Sequence, residues 1–287
     1  MWVQLNDQIV PESQAVVSVF DRGFLYGDGV FETMRAYQGL VFRLDDHLMR
    51  LAASAAALRL RVPRTASQVR DDIQRVLDRN RLTDAIVRVT VSRGRGKRGP
   101  GVAGADSPTY VISTEVLPDA LSGKQARGQR LTLSSIRKIS PDALPASAKH
   151  TNYLNAILAF DDATRAGADE VVMLDANLRV TECATANIFF VRKSCVHTPP
   201  ASVGILNGVT RGLVIDLARG AGLETDESLF GMDALLSAEE VFVTNSVVGP
   251  CPVRAVDART YAVPAPVTRQ LVRLYCARVH EDTGGTH

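Results

Sequence analysis

Lys149 is the residue whose type and setting point most directly to covalent chemistry. It stands in Ala148-Lys149-His150-Thr151-Asn152-Tyr153-Leu154-Asn155, after the proline-punctuated loop Ser140-Pro141-Asp142-Ala143-Leu144-Pro145. Downstream, Leu154, Ile157, Leu158 and the pair Asp161-Asp162 recur at helical spacing, which predicts a helix with one apolar and one polar face. A lysine where a loop enters a buried helix loses hydration, and desolvation lowers the pKa of an ammonium. The neutral amine is a nucleophile that forms a Schiff base with an aldehyde.

Anion-binding candidates come next. Arg50 lies in His47-Leu48-Met49-Arg50-Leu51, inside a helix carrying Leu44, Leu48, Leu51, Ala52, Ala55 and Leu58, with Asp45 as the expected N-cap. An arginine within an apolar stripe seeks an anion, and a phosphate suits its fork. In Gly204-Ile205-Leu206-Asn207-Gly208-Val209-Thr210-Arg211-Gly212, a glycine-bearing turn precedes a helix with Leu213, Leu217 and Ala218. Such a helix start aims backbone N–H groups and the positive dipole end at an anion, and Thr210 adds a hydroxyl. Glu182 stands between a strand and the small residues of Cys183-Ala184-Thr185-Ala186-Asn187, which let another group approach closely. Asn245-Ser246-Val247 forms a polar turn after a strand at 240–244. The stretch Arg93-Gly94-Arg95-Gly96-Lys97-Arg98-Gly99-Pro100-Gly101 is basic and glycine-rich but lacks Walker or GxGxxG spacing. It is expected to be a mobile loop over a site for carboxylate-bearing substrates.

The elements that must position these residues follow from periodicity and turn residues. A hairpin is predicted at 2–5 and 8–10, and strands at 30–36 and 40–42 after a stretch with Gly23, Gly27 and Gly29. Alternation puts Phe31, Thr33 and Arg35 on one face of the strand and Val30, Glu32 and Met34 on the other. A face mixing a ring, a hydroxyl and a guanidinium can line a polar pocket; spacing alone fits equally a half-exposed strand whose arginine meets solvent. A helix at 67–77 and strands at 85–92 and 110–114 complete a first domain, 1–118. The polar stretch 119–129, containing Asp119-Ala120-Leu121-Ser122-Gly123, reads as a linker. A second domain, 130–287, has strands at 130–136 and 170–174, and its tail from Glu281 is expected to be disordered.

Composition limits the classes. The chain has 287 residues, 46% of them hydrophobic, enough for two domains with sizeable cores. With 33 basic against 31 acidic side chains, a net charge of +2 gives no drive toward nucleic acid or membrane. No apolar run approaches the roughly 20 residues of a membrane span. Cys183, Cys195, Cys251 and Cys276 form no CxxC pair and no secretory leader is visible. They read as reduced thiols of a cytoplasmic protein, with no disulfide or metal framework.

Taken in order, five motifs carry a resemblance: Tyr-Gly-Asp-Gly-x-Phe-Glu at 26–32, His-Leu-x-Arg at 47–50, Lys149 with Asn-Tyr-Leu at 152–154, Thr-Glu-Cys at 181–183 with Asn187, and Gly-x-Thr-Arg at 208–211. The chain resembles the class IV aminotransferase family, the fold type IV pyridoxal-phosphate enzymes. That family includes branched-chain and D-amino-acid aminotransferases and aminodeoxychorismate lyase. The resemblance implies an α/β (α+β) fold of two domains, a small α/β one and a larger one of pseudo-barrel character, with the cofactor between them in a homodimer. It implies that Lys149 holds pyridoxal phosphate as a Schiff base and that Glu182 pairs with the pyridine nitrogen. Arg50, the N–H groups of Val209 and Thr210, the Thr210 hydroxyl and Ser246 are implied for the phosphate. Tyr153 is implied for the 3′-oxygen, Leu206 for ring packing, and Asn187 joins the cofactor set. Tyr26, Phe31, Thr33, Arg35, Arg98, Asn245 and Val247 form the substrate set, for an amino acid and an oxo acid.

Within the family the residues divide. Arg98-Gly99-Pro100 keeps the arginine of the D-specific Arg-x-His loop and lacks its histidine. Thr33 and Asn245-Ser246-Val247 depart from the glycine and Gly-Thr-Ala turn usual in branched-chain enzymes. Those departures look more like the lyase, whereas Asn152-Tyr153-Leu154 is shared with the transaminases. The expected activity is transamination of an α-amino acid, with aminodeoxychorismate lyase as the alternative.

Overall fold

The computed structural model describes residues 1–121 and 123–284, so Ser122 in the expected linker and the last three residues of the expected tail lie outside the described residues. The chain forms two compact units. The first comprises Met1–Leu117, Ala148–Tyr153 and the stretch from Val279 onward; the second comprises Pro118–Ser147 and Leu154–Arg278. Two short pieces of the sequence read as the second domain, one of them carrying Lys149, therefore belong to the first unit.

The first unit is built on a six-stranded sheet. Its strands are β1 (Trp2–Leu5), β2 (Gln8–Pro11), β3 (Gly29–Tyr37), β4 (Leu40–Val41), β5 (Ala85–Arg95) and β6 (Ser107–Val116), in the order β2-β1-β6-β5-β3-β4. The short helix α1 (Arg22–Tyr26) precedes β3; α2 (Leu44–Ala57) and α3 (Ala66–Asn80) follow β4. One face of the sheet (Val30, Met34, Val87, Val89, Val91) forms a core with Leu48, Leu51, Val69, Ile73 and Val76 of the two helices. Period-two alternation on the strands and an apolar stripe on each helix make this the one arrangement that hides both. Helix α3 starts with a full capping box between Thr65 and Gln68. For α2 the expected cap fails: Arg43 is the N-cap, at φ 55°, and Asp45 sits inside the first turn. There its carboxylate still faces the positive end of the helix.

The second unit carries eight further strands. Its path runs β11 (Thr225–Glu227), β10 (Cys195–Thr198), β9 (Asn187–Arg192), β12 (Glu240–Asn245), β13 (Gly249–Val256), β7 (Gln129–Leu133), β8 (Glu170–Val172), with β14 (Arg259–Thr260) paired to β13. Helices α4 (Lys124–Arg127), α5 (Leu154–Ala166), α6 (Val209–Gly220), α7 (Met232–Leu236) and α8 (Pro266–Thr283) belong with them, the last running on into the first unit. Central strands here are apolar on both faces, as Ile188, Phe189, Phe190 and Val191 show, each at most 1% exposed.

Three expectations change. The stretch 119–129, read as the interdomain linker, contains α4, and Gln125 Nε2 donates to Val248 O and Pro250 O at 3.0 Å. The tail stays helical through Thr283, whose buried hydroxyl donates back to Val279 O at 2.7 Å. Helix α5 buries Ala159 and Ala163, while Leu154, Ile157, Leu158 and Phe160 are exposed. Small side chains let the helix close on β8; the large ones, expected inside, point outward. Among the described residues no helix is long and apolar enough to cross a membrane.

Candidate active site

Lys149 does not sit at a helix start. It lies in an extended segment laid along β3, five residues before α5. Phe31 N–H donates to Lys149 O at 2.9 Å and Thr151 N–H to Gly29 O at 2.8 Å, with a bridge between Val30 and His150. Lys149 N–H donates to the Ser54 hydroxyl of α2 at 3.0 Å. Gly29 is required here, because a Cβ would come within 2.8 Å of Val91 O. The backbone of the lysine is thus fixed while its side chain reaches out by four rotatable bonds.

Phe31 is the centre around which the first unit's polar face gathers. Lys149 Nζ lies 4.4 Å from its ring centroid and Arg88 Cζ 3.8 Å from it. The Tyr153 ring meets it edge-on, at 5.5 Å and 78°. Arg88 stands on β5 directly across from Thr33. Burial pushes the Arg88 guanidinium pKa down, only partly countered by Tyr153 and Glu115. The face predicted from alternation exists and gains Arg88, which in the sequence has the look of an ordinary strand residue.

On the opposite side of β3 the structure gives Arg50 an anion, and it is a carboxylate of the same unit. Arg50 Nε donates to Glu32 Oε1 and Nη2 to Oε2, both at 2.7 Å. His47 Nδ1 lies 2.8 Å from the same Oε2. Glu32 is fully buried. Burial alone would raise its pKa, but the hydrogen bonds from Arg50 and then His47 hold it down at about 2. Desolvation pushes the His47 pKa down. The arginine expected at a phosphate therefore commits two of its donors to Glu32.

The second unit holds its carboxylate differently. Glu182 Oε2 accepts from Asn187 Nδ2 and from Leu206 N–H, both at 3.1 Å. Its Oε1 pairs with Lys138 Nζ at 2.5 Å. The turn beyond Glu182 is fixed from beneath by buried Glu170, which accepts from Ala184 N–H at 3.1 Å and Thr185 N–H at 3.0 Å. Burial raises the Glu170 pKa. Asn187 opens β9 and also donates to Leu206 O at 2.9 Å.

That link brings Glu182 to the head of α6. Gly208 is the N-cap and offers no side-chain bond to the helix, so the N–H groups of Val209 and Thr210 lack an intrahelical partner. A Cβ on Gly208 would collide with Asn187 Oδ1, so the turn packs directly onto Asn187. From Leu206 to Val209 is three residues, at most about 10 Å of chain. A buried carboxylate at one end of such a span and open N–H groups at the other fit a ring nitrogen and a phosphate on one ligand.

The remaining expected residues fall as follows. Tyr26 is exposed, and its hydroxyl accepts Gly99 N–H at 3.0 Å. Arg35 lies over Tyr37 at 4.3 Å with Asp84 at 3.9 Å, toward the far end of β3. Arg98 is exposed in the basic loop. Asn245 Oδ1 accepts Val247 N–H at 3.1 Å and Val248 N–H at 2.9 Å, so this side chain shapes its own turn and carries Ser246 and Val247 with it. Lys138 is an addition; in Ile136-Arg137-Lys138-Ile139 nothing in the sequence sets it apart from its basic neighbour.

The first unit carries an amine on a fixed backbone, Lys149, and the second a buried carboxylate, Glu182, beside a helix start. The chain belongs to the class IV aminotransferase family: the family description "Amino-transferase class IV" matches residues 29–256. It is 39% identical over 259 residues, 90% of this chain and 89% of the relative, to a Methanocaldococcus jannaschii protein provisionally described as a branched-chain-amino-acid aminotransferase. It is 32% identical over 261 residues to the aminodeoxychorismate lyase of Bacillus subtilis (strain 168), covering 90% of this chain and 88% of that one. A T.th. branched-chain amino acid aminotransferase, solved in complex with N-(5'-phosphopyridoxyl)-L-glutamate, superposes with a TM-score of 0.90 at 29% identity, covering 99% of this chain and 95% of that one.

Proposed function

We propose that the protein is a pyridoxal 5'-phosphate-dependent transaminase that moves an amino group between an α-amino acid and a 2-oxo acid. The observation that carries this reading is Glu182, buried, fixed through Asn187 and Leu206, and tied to the open start of α6. Bound pyridoxal phosphate supplies a ring that draws electrons away from the substrate Cα. Glu182 holds the proton on the ring nitrogen. Lys149 Nζ would hold the cofactor through its aldehyde group and would carry the proton taken from the substrate Cα. Val209 and Thr210 N–H, the Thr210 hydroxyl, Ser246 and Arg50 hold the phosphate, Tyr153 the 3′-oxygen, and Leu206 the ring face. Tyr26, Phe31, Thr33, Arg35, Arg98, Asn245 and Val247 form the substrate set, and Arg88 joins it as the desolvated cation nearest Phe31.

The test is chemical. After incubation with pyridoxal phosphate and borohydride reduction, peptide mapping is expected to find a phosphopyridoxyl group on Lys149. A label on Lys138, or none, sinks the reading. The lyase is the second reading, favoured by the Bacillus subtilis relative. An amino acid given alone, without an oxo acid, is expected to leave pyridoxamine 5'-phosphate; pyruvate released from aminodeoxychorismate instead supports the lyase.

Assembly as a homodimer and a cytoplasmic setting complete the proposal. Both units expose large apolar side chains, Phe20, Phe24 and Leu25 on one and the outer face of α5 on the other. The four cysteines are free thiols. Sedimentation is expected to give a dimer in the wild type and a monomer in Phe24→Asp.

A further inference from the structure

The Tyr26-Gly27-Asp28-Gly29 turn joins two parts of the first unit. On one side the Thr151 hydroxyl donates to Gly27 O at 2.8 Å, beside the Lys149 segment. On the other, Asp28 Oδ2 accepts Arg22 Nε and Arg93 Nε, each at 2.8 Å, and Oδ1 accepts Arg93 Nη2 at 3.0 Å. Burial alone would raise the Asp28 pKa, but the hydrogen bonds from Arg93 and Arg22 outweigh it and lower it. Arg22 is only 4% exposed.

With Nε fixed on Asp28, the rest of the Arg22 guanidinium serves the basic loop. Nη1 donates to Gly99 O and Gly101 O at 3.0 Å each, and Nη2 to Pro100 O at 3.3 Å. The Tyr26 hydroxyl accepts the N–H of Gly99 at 3.0 Å, and the Arg22 Cζ lies 5.0 Å from the Tyr26 ring centre. A glycine-rich loop is costly to order, and three charge-assisted bonds from a buried cation offset that cost. The loop expected to be mobile is a built feature, with three consecutive carbonyls gathered on one arginine. Lys97 and Arg98, immediately before them, are exposed.

We propose that Arg22 is a positioning residue for substrate recognition: it holds loop 96–101 in the conformation that presents Lys97 and Arg98 to a substrate carboxylate. The inference rests on the transaminase reading. Arg22 touches neither substrate nor cofactor; it acts through the loop backbone. Lysine cannot replace it, since a single ammonium lacks the fork that reaches Asp28 and three carbonyls together.

The test uses pyridoxal-phosphate-loaded wild type, Arg22→Met and the milder Arg22→Lys, which keeps the charge beside Asp28 if the methionine variant folds poorly. Native-state trypsin is expected to cut after Lys97 and Arg98 about tenfold faster in Arg22→Met, with Arg22→Lys intermediate. The KM for the oxo acid is expected to rise about tenfold with kcat within about twofold. In a Lys97→Gln/Arg98→Gln background, Arg22→Met is expected to add no further rise in KM. Unchanged nicking, or faster nicking with KM unmoved, overturns the proposal. A wild-type holoenzyme that transaminates nothing overturns the proposed function as well; an active wild type whose KM ignores Arg22 overturns this inference alone.

Discussion

Two buried carboxylates, one in each unit, are held in opposite ways. Glu32 is locked by two partners on one helix, the Arg50 guanidinium at 2.7 Å on both oxygens and the buried His47 ring at 2.8 Å. Glu182 is held on one oxygen by two neutral donors, Asn187 and Leu206 N–H, and its other oxygen meets the half-buried Lys138. The first arrangement uses up the carboxylate in joining β3 to α2. The second fixes where the carboxylate is but leaves one oxygen on a partner that can swing toward water. A charge that anchors a fold is fully committed; Glu182, with one oxygen on an exchangeable partner, has the arrangement that the proposed cofactor role requires. Lys149 fits the same distinction, with its backbone bonded on both sides and a long side chain that must move.

The largest break comes from removing Glu32. Glu32→Ala leaves the guanidinium of Arg50 without its buried partner, which costs about 3–5 kcal/mol of folding free energy. A urea melt checks this as a lower midpoint at unchanged slope. If the midpoint barely moves, Glu32 is no anchor and the contrast with Glu182 disappears.

Acid breaks the same anchor without a mutation. The Glu32 pKa is near 2 in the folded protein, against an ordinary value of 4.5. Because the folded pKa is depressed, the stabilisation is complete above the ordinary value and is lost as pH falls from there toward 2. Its size is about 3 kcal/mol. Melts between pH 5 and pH 2, at roughly constant salt, read this loss. A Glu32→Gln variant is expected to show a shallower fall over that window, and an identical fall in both proteins sinks the assignment.

Gly208→Ala forces its Cβ against Asn187 Oδ1. The overpacking costs about 1–3 kcal/mol and lowers affinity for pyridoxal phosphate, because α6 must withdraw from Asn187. Asn187→Ala costs a similar amount by stripping donors from Glu182 and Leu206 O. In the double variant the collision is gone, so the two costs are expected to sum to more than the measured loss. Strict additivity indicates that Asn187 does not link the carboxylate to the helix start.

Sequence legibility follows the same division. The second unit's candidate residues are legible because they are local: Glu182, Asn187 and the 206–210 turn lie in short stretches, and the structure links them by hydrogen bonds. The sequence singles out Lys149 as a candidate amine, but its setting is not legible there. The helix spacing after it is real, yet the strand-like bonds to β3 join residues more than a hundred positions apart. The same limit hides the partner of Arg50. The need for an anion is legible; that Glu32 supplies one depends on which face of β3 packs against α2. For α5 the pattern shows two faces, and only the partner β8 decides that Ala159 and Ala163 fit beneath it. The basic loop looks mobile in the sequence because its clamp, Arg22, lies on another element.

Glu182→Gln is expected to change the fold least and so tests the comparison most sharply. The amide keeps an oxygen for the Asn187 and Leu206 N–H groups, and Lys138, 23% exposed, can turn its ammonium into water. Unfolding free energy is therefore expected to shift by about 1 kcal/mol or less. Transamination responds differently: a neutral amide cannot hold a proton on the ring nitrogen, and kcat/KM is expected to fall about 100-fold or more. The paired measurements, a denaturant melt and a half-reaction with an amino acid alone, separate the two roles. A large loss of stability with activity retained makes Glu182 a second anchor like Glu32. It also moves the cofactor's carboxylate partner elsewhere in the protein.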